Sequence, residues 1–210
     1  MSIGPSRPLV LEKPAKIDIL QAARYFGARG EPDTATRTLL EKCAVPILAA
    51  ATPRAVWLEA DVDSLLEAGI LQGGDVMKHL EGCPQALMLA VTLGPGVDAQ
   101  IRRAGVGDIA ASVASDALGS ALAEQAADAA EAGYGDWPIT VQPKVAAVLD
   151  TARRAGICVL NTNLMTPRKS VTAILGLSDH PVKGHLAGCG HCVLRTRCEY
   201  RKRGKTCASE

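Results

Sequence analysis

The sequence predicts an α+β fold, in which a few-stranded sheet is covered by helices and followed by a basic, cysteine-rich tail. Three observations support this class. A continuous apolar run at 86–93 is closed by Gly94-Pro95-Gly96, as is typical of a strand buried on both faces. Several other segments carry apolar residues at the three- and four-residue spacing of amphipathic helices. Strands and helices alternate irregularly and without a repeat, which favours a mixed fold over a repeat architecture.

The N-terminal part predicts an extended arm and two helices. Residues 1–14 contain three prolines and show no helical period. A short amphipathic helix follows at 16–28, and two glycines end it. A second helix begins at 33–34, where either side chain can cap it, and Pro46 is expected to kink or divide this helix.

The rest of the chain predicts alternating strands and helices. Besides the run at 86–93, strands are expected at 54–59, 157–160 and 171–177, and helices at 75–80 and 142–154. The segment 97–132 is helical in pattern and rich in alanine, and a break at 105–107 divides it. Small side chains let the second of these two helices approach its neighbours closely.

The composition indicates a folded protein. Apolar residues make up 48% of the chain and the net charge is +1, whereas disordered chains have few apolar residues and a high net charge. No apolar run reaches the roughly 18 residues of a membrane span, and the first residues lack a signal-peptide core. We therefore expect a cytoplasmic protein without a membrane partner. The balanced charge also argues against a nucleic-acid partner.

The segment 183–210 differs from the rest of the chain in charge and cysteine content. It holds seven basic and two acidic residues, whereas the other 182 residues hold 16 basic and 20 acidic ones. Four of the seven cysteines of the chain lie in it: Cys189, Cys192, Cys198 and Cys207. In a cytosolic chain such a cluster is more often a metal site than a disulfide framework.

Thiolates suit zinc and iron–sulfur clusters. Tetrahedral zinc sites usually bring two close pairs of ligands, and here only Cys189 and Cys192 form one. The spacing therefore favours an iron–sulfur cluster, with zinc as the close alternative and His191 as a replacement for one thiol. Unliganded surface thiols are the third interpretation. The surrounding basic residues would stabilise thiolates and would also suit an acidic partner.

Two further segments have the composition of ligand loops. In Gly133-Tyr134-Gly135-Asp136, the glycines permit close backbone approach and the tyrosine offers a flat face and a hydroxyl. A turn with a packed tyrosine is the alternative. The segment 165–172 is a turn that leads into a strand and carries two adjacent cations, Arg168 and Lys169. A solvated hairpin is the alternative here.

Four stretches together resemble the activation domain of cobalamin-dependent methionine synthase, and more closely its small standalone relatives in anaerobic bacteria. They are Arg-Tyr-Phe-Gly at 24–27, Ala-Val-Thr-Leu-Gly at 90–94 with Val-Asp at 97–98, Gly-Tyr-Gly-Asp-Trp-Pro at 133–138, and Leu-Met-Thr-Pro-Arg-Lys-Ser-Val-Thr-Ala-Ile-Leu-Gly at 164–176. The resemblance implies a small central, mainly antiparallel sheet covered by helices. The expected organisation is an arm at 1–14, this domain at 15–182, and a metal-binding tail at 183–210.

In that family the domain binds S-adenosylmethionine and presents its methyl group to a corrinoid held by another domain or protein. One-electron reduction of Co(II) gives Co(I), which takes the methyl group from the sulfonium. The resemblance implies proximity and orientation instead of acid–base chemistry, so no catalytic residue is expected. It also implies a corrinoid protein or cobalamin-dependent methyltransferase as partner. The tail, as an iron–sulfur centre, would deliver the electron and could meet an electron-transfer partner.

The resemblance further implies a set of ligand-binding residues. Glu124, with Asp128 one turn later, matches the acidic position on the helix that precedes the ligand loop. Gly133 and Tyr134 match the last two positions of that loop, and Gly135 follows them as a further candidate. The family's loop is longer and carries an arginine, but here 129–132 lead straight into Gly133, so that loop is missing. Arg168 or Lys169 is the candidate substitute for gripping the methionine carboxylate.

The sequence is therefore compatible with three functions. The favoured one is an accessory protein that binds S-adenosylmethionine, a corrinoid protein or both, and supports reductive methylation of cobalt. The second is an adaptor that has lost the ligand site and docks on a corrinoid protein or methyltransferase. The third is a zinc-tailed nucleic-acid binder, which the basic tail permits. A complete methionine synthase is not expected from these 210 residues, which cannot hold its other modules.

Overall fold

The computed structural model describes residues 3–130 and 139–180. The strands are β1 (Arg7–Leu9), β2 (Arg54–Asp61), β3 (Gln85–Thr92), β4 (Cys158–Val159), β5 (Met165–Thr166) and β6 (Ser170–Leu177). The helices are α1 (Ile19–Phe26), α2 (Thr34–Ala50), α3 (Val62–Glu67), α4 (Gly74–His79), α5 (Pro95–Ala104), α6 (Ile109–Ala130), α7 (Gln142–Leu149) and α8 (Thr151–Arg154). A turn of 3-10 helix, Ile139–Val141, precedes α7. The predicted α+β class is confirmed.

Four of the strands form an antiparallel sheet in the order β1-β2-β3-β6. The strand β3 lies inside this sheet, with Leu89 opposite Trp57 of β2 and Ala173 of β6. Successive side chains of a strand point to opposite faces. Leu89 therefore belongs to one face of the sheet and its neighbour Met88 to the other. The strands β4 and β5 pair with each other in a separate two-stranded ribbon.

Helices cover both faces of the sheet and create two hydrophobic cores. The first core lies between the sheet and α1, α2, α5 and α6, and the second between the sheet and α3, α4 and α7. Large fully buried side chains of the first core are Leu40, Ile47, Leu89, Leu93, Leu118 and Leu122; those of the second are Leu58, Leu65, Ile70, Met88, Leu149 and Ile157. The prediction that the run at 86–93 is a strand covered on both faces is confirmed.

Helix α6 runs through the first core. It is 22 residues long and begins just after the predicted break at 105–107. It contacts α1, α2, α5 and the strands β3 and β6. Buried alanines, such as Ala114 and Ala121, leave room for these neighbours to come close. The alanine-rich pattern thus corresponds to a helix that packs on several sides.

The structure leaves one predicted helix undivided and divides another. Pro46 does not divide α2, which continues from Thr34 to Ala50. Burial of Cys43 and Ile47 on either side of the proline stabilises the helix against the missing hydrogen bond. The helix expected at 142–154 is two helices, because Asp150 adopts a left-handed backbone conformation with φ of 51°.

The N-terminal arm and the strand expected at 157–160 are also refined. Within the arm, β1 becomes the edge strand of the sheet, because it pairs with β2 at Arg7–Leu9. The strand β4 pairs with β5 and not with the central sheet. No helix in the described ranges is long and apolar enough to cross a membrane.

Candidate functional site

Four polar residues follow one side of α6 at intervals of four: Asp116, Ser120, Glu124 and Asp128. We call them the α6 polar row. Residues four apart lie on the same side of a helix, one turn above each other. None of the four is fully buried, whereas Leu118 and Leu122 between them lie in the first core. The row is therefore the side of α6 that its packing partners leave accessible.

Tyr25 lies beside the carboxyl-terminal end of this row. It belongs to the last turn of α1 and is half-exposed. Burial of the phenol raises the pKa of Tyr25, and the charge of Glu124, a hydrogen bond to Glu124 and the charge of Asp128 raise it further. The protonated hydroxyl donates its hydrogen bond to Glu124. This arrangement puts an aromatic ring and two carboxylates at one place on the surface.

The start of α1 is fixed to α6 by side-chain hydrogen bonds. The carboxylate of Asp18 caps α1 by accepting from the backbone N–H groups of Leu20 and Gln21, at 2.9 and 3.0 Å. On α6, Gln125 accepts from the N–H of Asp18 at 2.9 Å and donates to the carbonyl of Lys16 at 3.3 Å. At its other end, α1 stops at Gly27, whose φ of 105° is left-handed. Together these contacts determine where Tyr25 stands relative to the polar row.

Lys169 lies at the amino-terminal end of the row. Its side chain is only 9% exposed, and its Nζ lies 2.9 Å from Oδ1 of Asp116. The same Nζ donates to the hydroxyl of Ser120 at 2.9 Å. The aliphatic part passes over Gly119, where an added Cβ would lie 3.0 Å from Cε of Lys169. The ammonium of Lys169 thus contacts two residues of α6.

Arg168 precedes Lys169 in a turn that is held from both sides. Its backbone N–H donates to Oδ2 of Asp98 at 2.7 Å, and Asp98 itself is only 9% exposed. The carbonyl of Lys169 accepts from the N–H of Leu93 at 3.0 Å. The hydroxyl of Ser170 bonds Oγ1 of Thr92 at 2.8 Å and the carbonyl of Pro167 at 2.7 Å. These bonds connect the turn to the end of β3 and to α5.

The guanidinium of Arg168 is the exposed group of this turn. It makes no hydrogen bond or ion pair with any residue that the structure describes. The two neighbouring cations therefore have different environments, although the sequence presents them as equivalent. Lys169 is buried against α6, whereas Arg168 is exposed.

The structure brings some of the sequence-predicted residues together. Glu124 and Asp128 lie near each other at Tyr25, while Arg168 and Lys169 sit on the turn before β6. The predicted loop residues Gly133, Tyr134 and Gly135 lie outside the described residues, as do the tail cysteines Cys189, Cys192, Cys198 and Cys207. In the part of the chain that is described, no group of three or more His, Cys, Asp or Glu could hold a metal ion.

The sequence alone indicates no role for Tyr25, Asp98 or Asp116. Tyr25 and Asp98 lie in two of the stretches on which the resemblance rests. Their place in those stretches could have marked them as functional candidates. Asp116 stands out only as an acidic residue of the alanine-rich helix. Its contact with Lys169 joins two distant parts of the chain, so no pattern of neighbouring residues in the sequence predicts it.

The comparison with solved structures agrees with this architecture of a four-stranded antiparallel sheet between layers of helices. The chain is similar to the MetH reactivation domain, solved with AdoHcy bound, with a TM-score of 0.53. The sequences are 13% identical, and the match covers 97% of this chain and 87% of that one. The sequence matches no protein-family model and no curated protein. At this identity the likeness establishes a shared fold.

Proposed function

We propose that this chain is an accessory protein of corrinoid-dependent methyl transfer. It binds S-adenosylmethionine, docks on a corrinoid protein or cobalamin-dependent methyltransferase, and supports reductive methylation of the cobalt. The observation that carries the proposal is the fold shared with the MetH reactivation domain, which was solved with AdoHcy bound.

The chemistry of the α6 polar row supports a ligand of this kind. S-adenosylmethionine carries a positive sulfonium and a positive ammonium. Glu124 and Asp128 supply negative charge beside the ring of Tyr25, and an aromatic face attracts cations as well. In this function the protein holds the methyl group towards the cobalt, and orientation is its main contribution.

A calorimetric titration with AdoHcy and with S-adenosylmethionine tests the proposal. The wild-type protein should bind both, and Glu124→Gln should weaken S-adenosylmethionine roughly tenfold, since a hydrogen bond or contact to a charged group is lost. Glu67→Gln is the matched control, because α3 lies on the opposite face of the sheet. If the protein is folded and neither ligand gives heat at millimolar concentration, the proposal that this chain binds S-adenosylmethionine is contradicted.

We also propose that Cys189, Cys192, Cys198 and Cys207 hold an iron–sulfur cluster. A set of four thiolates has the chemistry for such a cluster, which when bound supplies one-electron transfer. Anaerobic purification followed by iron, sulfide and zinc analysis is the test. Iron and inorganic sulfide in similar amounts are expected, while one zinc without sulfide would indicate a structural tail.

The adaptor remains the second candidate, and one structural observation favours it. Helix α6 continues to Ala130, three positions before Gly133. That distance leaves no room for the longer, arginine-bearing loop that the resemblance would require there. An adaptor would be captured by a purified corrinoid protein but would give no heat with AdoHcy. The proposed accessory protein would give both results.

A further inference from the structure

The negative charge of the chain is concentrated in one segment, residues 59–85. This segment holds six acidic residues and one lysine. Outside it and outside the basic tail at 183–210, the remaining 155 residues hold 15 basic and 14 acidic ones and are nearly neutral. The net charge of −5 in the segment therefore accounts for the acidity of the domain, and it is opposite and equal to the net charge of +5 in the tail.

Residues 59–85 form one end of the sheet together with the two helices beside it. They include the last residues of β2, all of α3 and α4, and the first residue of β3. Four of their carboxylates are exposed and make no ion pair with a described residue: those of Glu59, Asp63, Glu67 and Glu81. We call these four side chains the acidic end.

Apolar side chains are also exposed on these two helices. Leu66 of α3 is 37% exposed and Met77 of α4 is 38% exposed, although both helices also pack into the second core. Lys144 of α7 reaches this region, where its Nζ donates to the carbonyl of Gly69 at 3.1 Å. The outer side of α3 and α4 thus combines apolar groups with carboxylates that have no ion-pair partner in the described ranges.

The chain leaves the sheet beside these helices. The last residue of β6, Leu177, lies opposite Gln85 at the start of β3. One position earlier, an added Cβ on Gly176 would collide with Sγ of Cys83, so β6 ends in close contact with the segment that follows α4. Lys183 comes six residues after Leu177, and six residues span at most about 20 Å. The basic tail therefore starts near the acidic end.

We propose that the basic tail, residues 183–210, docks on the outer side of α3 and α4 of its own chain and pairs its cations with the acidic end. A single exposed ion pair is weak, but partners within one chain meet at a high effective concentration and several pairs act together. The acidic partner that the charge of the tail suits is then segment 59–85.

This docking goes beyond the proposed function and does not depend on it, because the charges attract whether or not a ligand is bound. It also assigns the tail to one side of the molecule. Helices α3 and α4 belong to the second core, whereas α6 belongs to the first. The docked tail therefore leaves the α6 polar row uncovered.

Carbodiimide cross-linking of the full chain, analysed by mass spectrometry, tests the contact, because this reagent joins a lysine amine to a carboxylate that it touches. Lys202 and Lys205 are the informative lysines, since they lie 25 and 28 positions after Leu177 and chain connectivity does not hold them near β6. Both should link to carboxylates of the acidic end. Neither should link to Glu41, an exposed carboxylate on α2 in the other layer.

Salt and isotope labelling identify the kind of contact. The links should become several-fold weaker between 0.1 and 1 M salt, because the screening length falls from about 10 Å to about 3 Å. An equal mixture of unlabelled and nitrogen-15-labelled protein separates links within one chain from links between chains. Absence of links, links between chains, or links to Glu124 and Asp128 instead of the acidic end would overturn the proposal.

Removal of two carboxylates gives a second measurement. In the double variant Asp63→Asn, Glu81→Gln, trypsin should cleave the tail roughly twofold to tenfold faster, as expected for the loss of two exposed ion pairs. The control Glu12→Gln, Glu41→Gln makes the same change in charge at exposed positions of the arm and α2, and its cleavage rate should equal that of the wild type. Equal rates in all three proteins, compared at equal metal content, would contradict the docking.

Discussion

The Tyr25 hydroxyl joins α1 to the carboxylate of Glu124 on α6. Burial and the two nearby carboxylates raise the pKa of Tyr25 above the ordinary value of 10.0. The folded protein therefore holds this proton more tightly than the unfolded chain does. The resulting stabilisation is present below pH 10.0 and is lost as the pH rises through the folded-state pKa.

This linkage gives a prediction for alkaline solution. Glu124→Gln should lower the pKa of Tyr25 towards its ordinary value, because the carboxylate charge that disfavours tyrosinate is gone. The ultraviolet absorbance of tyrosinate measures it, with Tyr25→Phe identifying the Tyr25 contribution among the three tyrosines. In Tyr25→Phe, the free energy of unfolding should also fall less steeply above pH 10.0 than in the wild type. A Tyr25 titration that Glu124→Gln leaves in place would contradict the contact.

The candidate site could be predicted only in part from the sequence. The resemblance made Glu124 and Asp128 candidates, and the helical spacing places them one turn apart; their role in ligand binding stays a prediction. The different environments of Arg168 and Lys169 could not be predicted. They depend on Ser120, which is 49 positions before Lys169, and on Asp98, which is 70 positions before Arg168. Such contacts arise from tertiary packing and leave no periodic signal.

At the scale of elements, local chemistry explains which bounds were predictable. The glycine break before α6 and the glycine after α1 are backbone signals, and the structure confirms both. The division between α7 and α8 depends on Asp150, whose side chain bonds Nε of Arg153 at 2.6 Å. The strand β1 exists because β2 offers it a partner. Neither feature is visible in a pattern of apolar residues.

The position of α1 depends on its amino-terminal cap. Asp18→Ala removes the acceptor of two backbone N–H groups and should lower the free energy of unfolding by about 1 kcal/mol. Urea denaturation followed by circular dichroism measures this change. Glu12→Ala is the control, because Glu12 is exposed and its position precedes the cap. An equal loss in both variants would show that charge, and not capping, explains the effect.

The loosened helix should also affect the site. Because α1 carries Tyr25, Asp18→Ala should weaken AdoHcy binding, and Glu12→Ala should not. Unchanged AdoHcy affinity in Asp18→Ala would mean that Tyr25 keeps its place without the cap.

At the scale of the molecule, the sheet links the two hydrophobic cores. Neighbouring residues of β3 enter different cores, with Leu89 in the first and Met88 in the second. Because both cores pack on β3, loss of packing in either core would expose one face of this strand. The fold is therefore expected to unfold cooperatively, although its helices form two separate layers.

Substitutions on the two faces of β3 test this cooperativity. Leu89→Ala and Met88→Ala should each lower the free energy of unfolding by about 2–5 kcal/mol, because each leaves a cavity in a closely packed core. Val10→Ala, at a side chain that is 94% exposed, should change it by less than about 0.5 kcal/mol. Circular dichroism and the fluorescence of Trp57, which packs against the first core, should give one shared midpoint in every variant, all made in a Trp137→Phe background so that Trp57 is the sole tryptophan. Independent layers would instead separate the two midpoints in Met88→Ala, since only the second core would be weakened and Trp57 would report an unchanged transition.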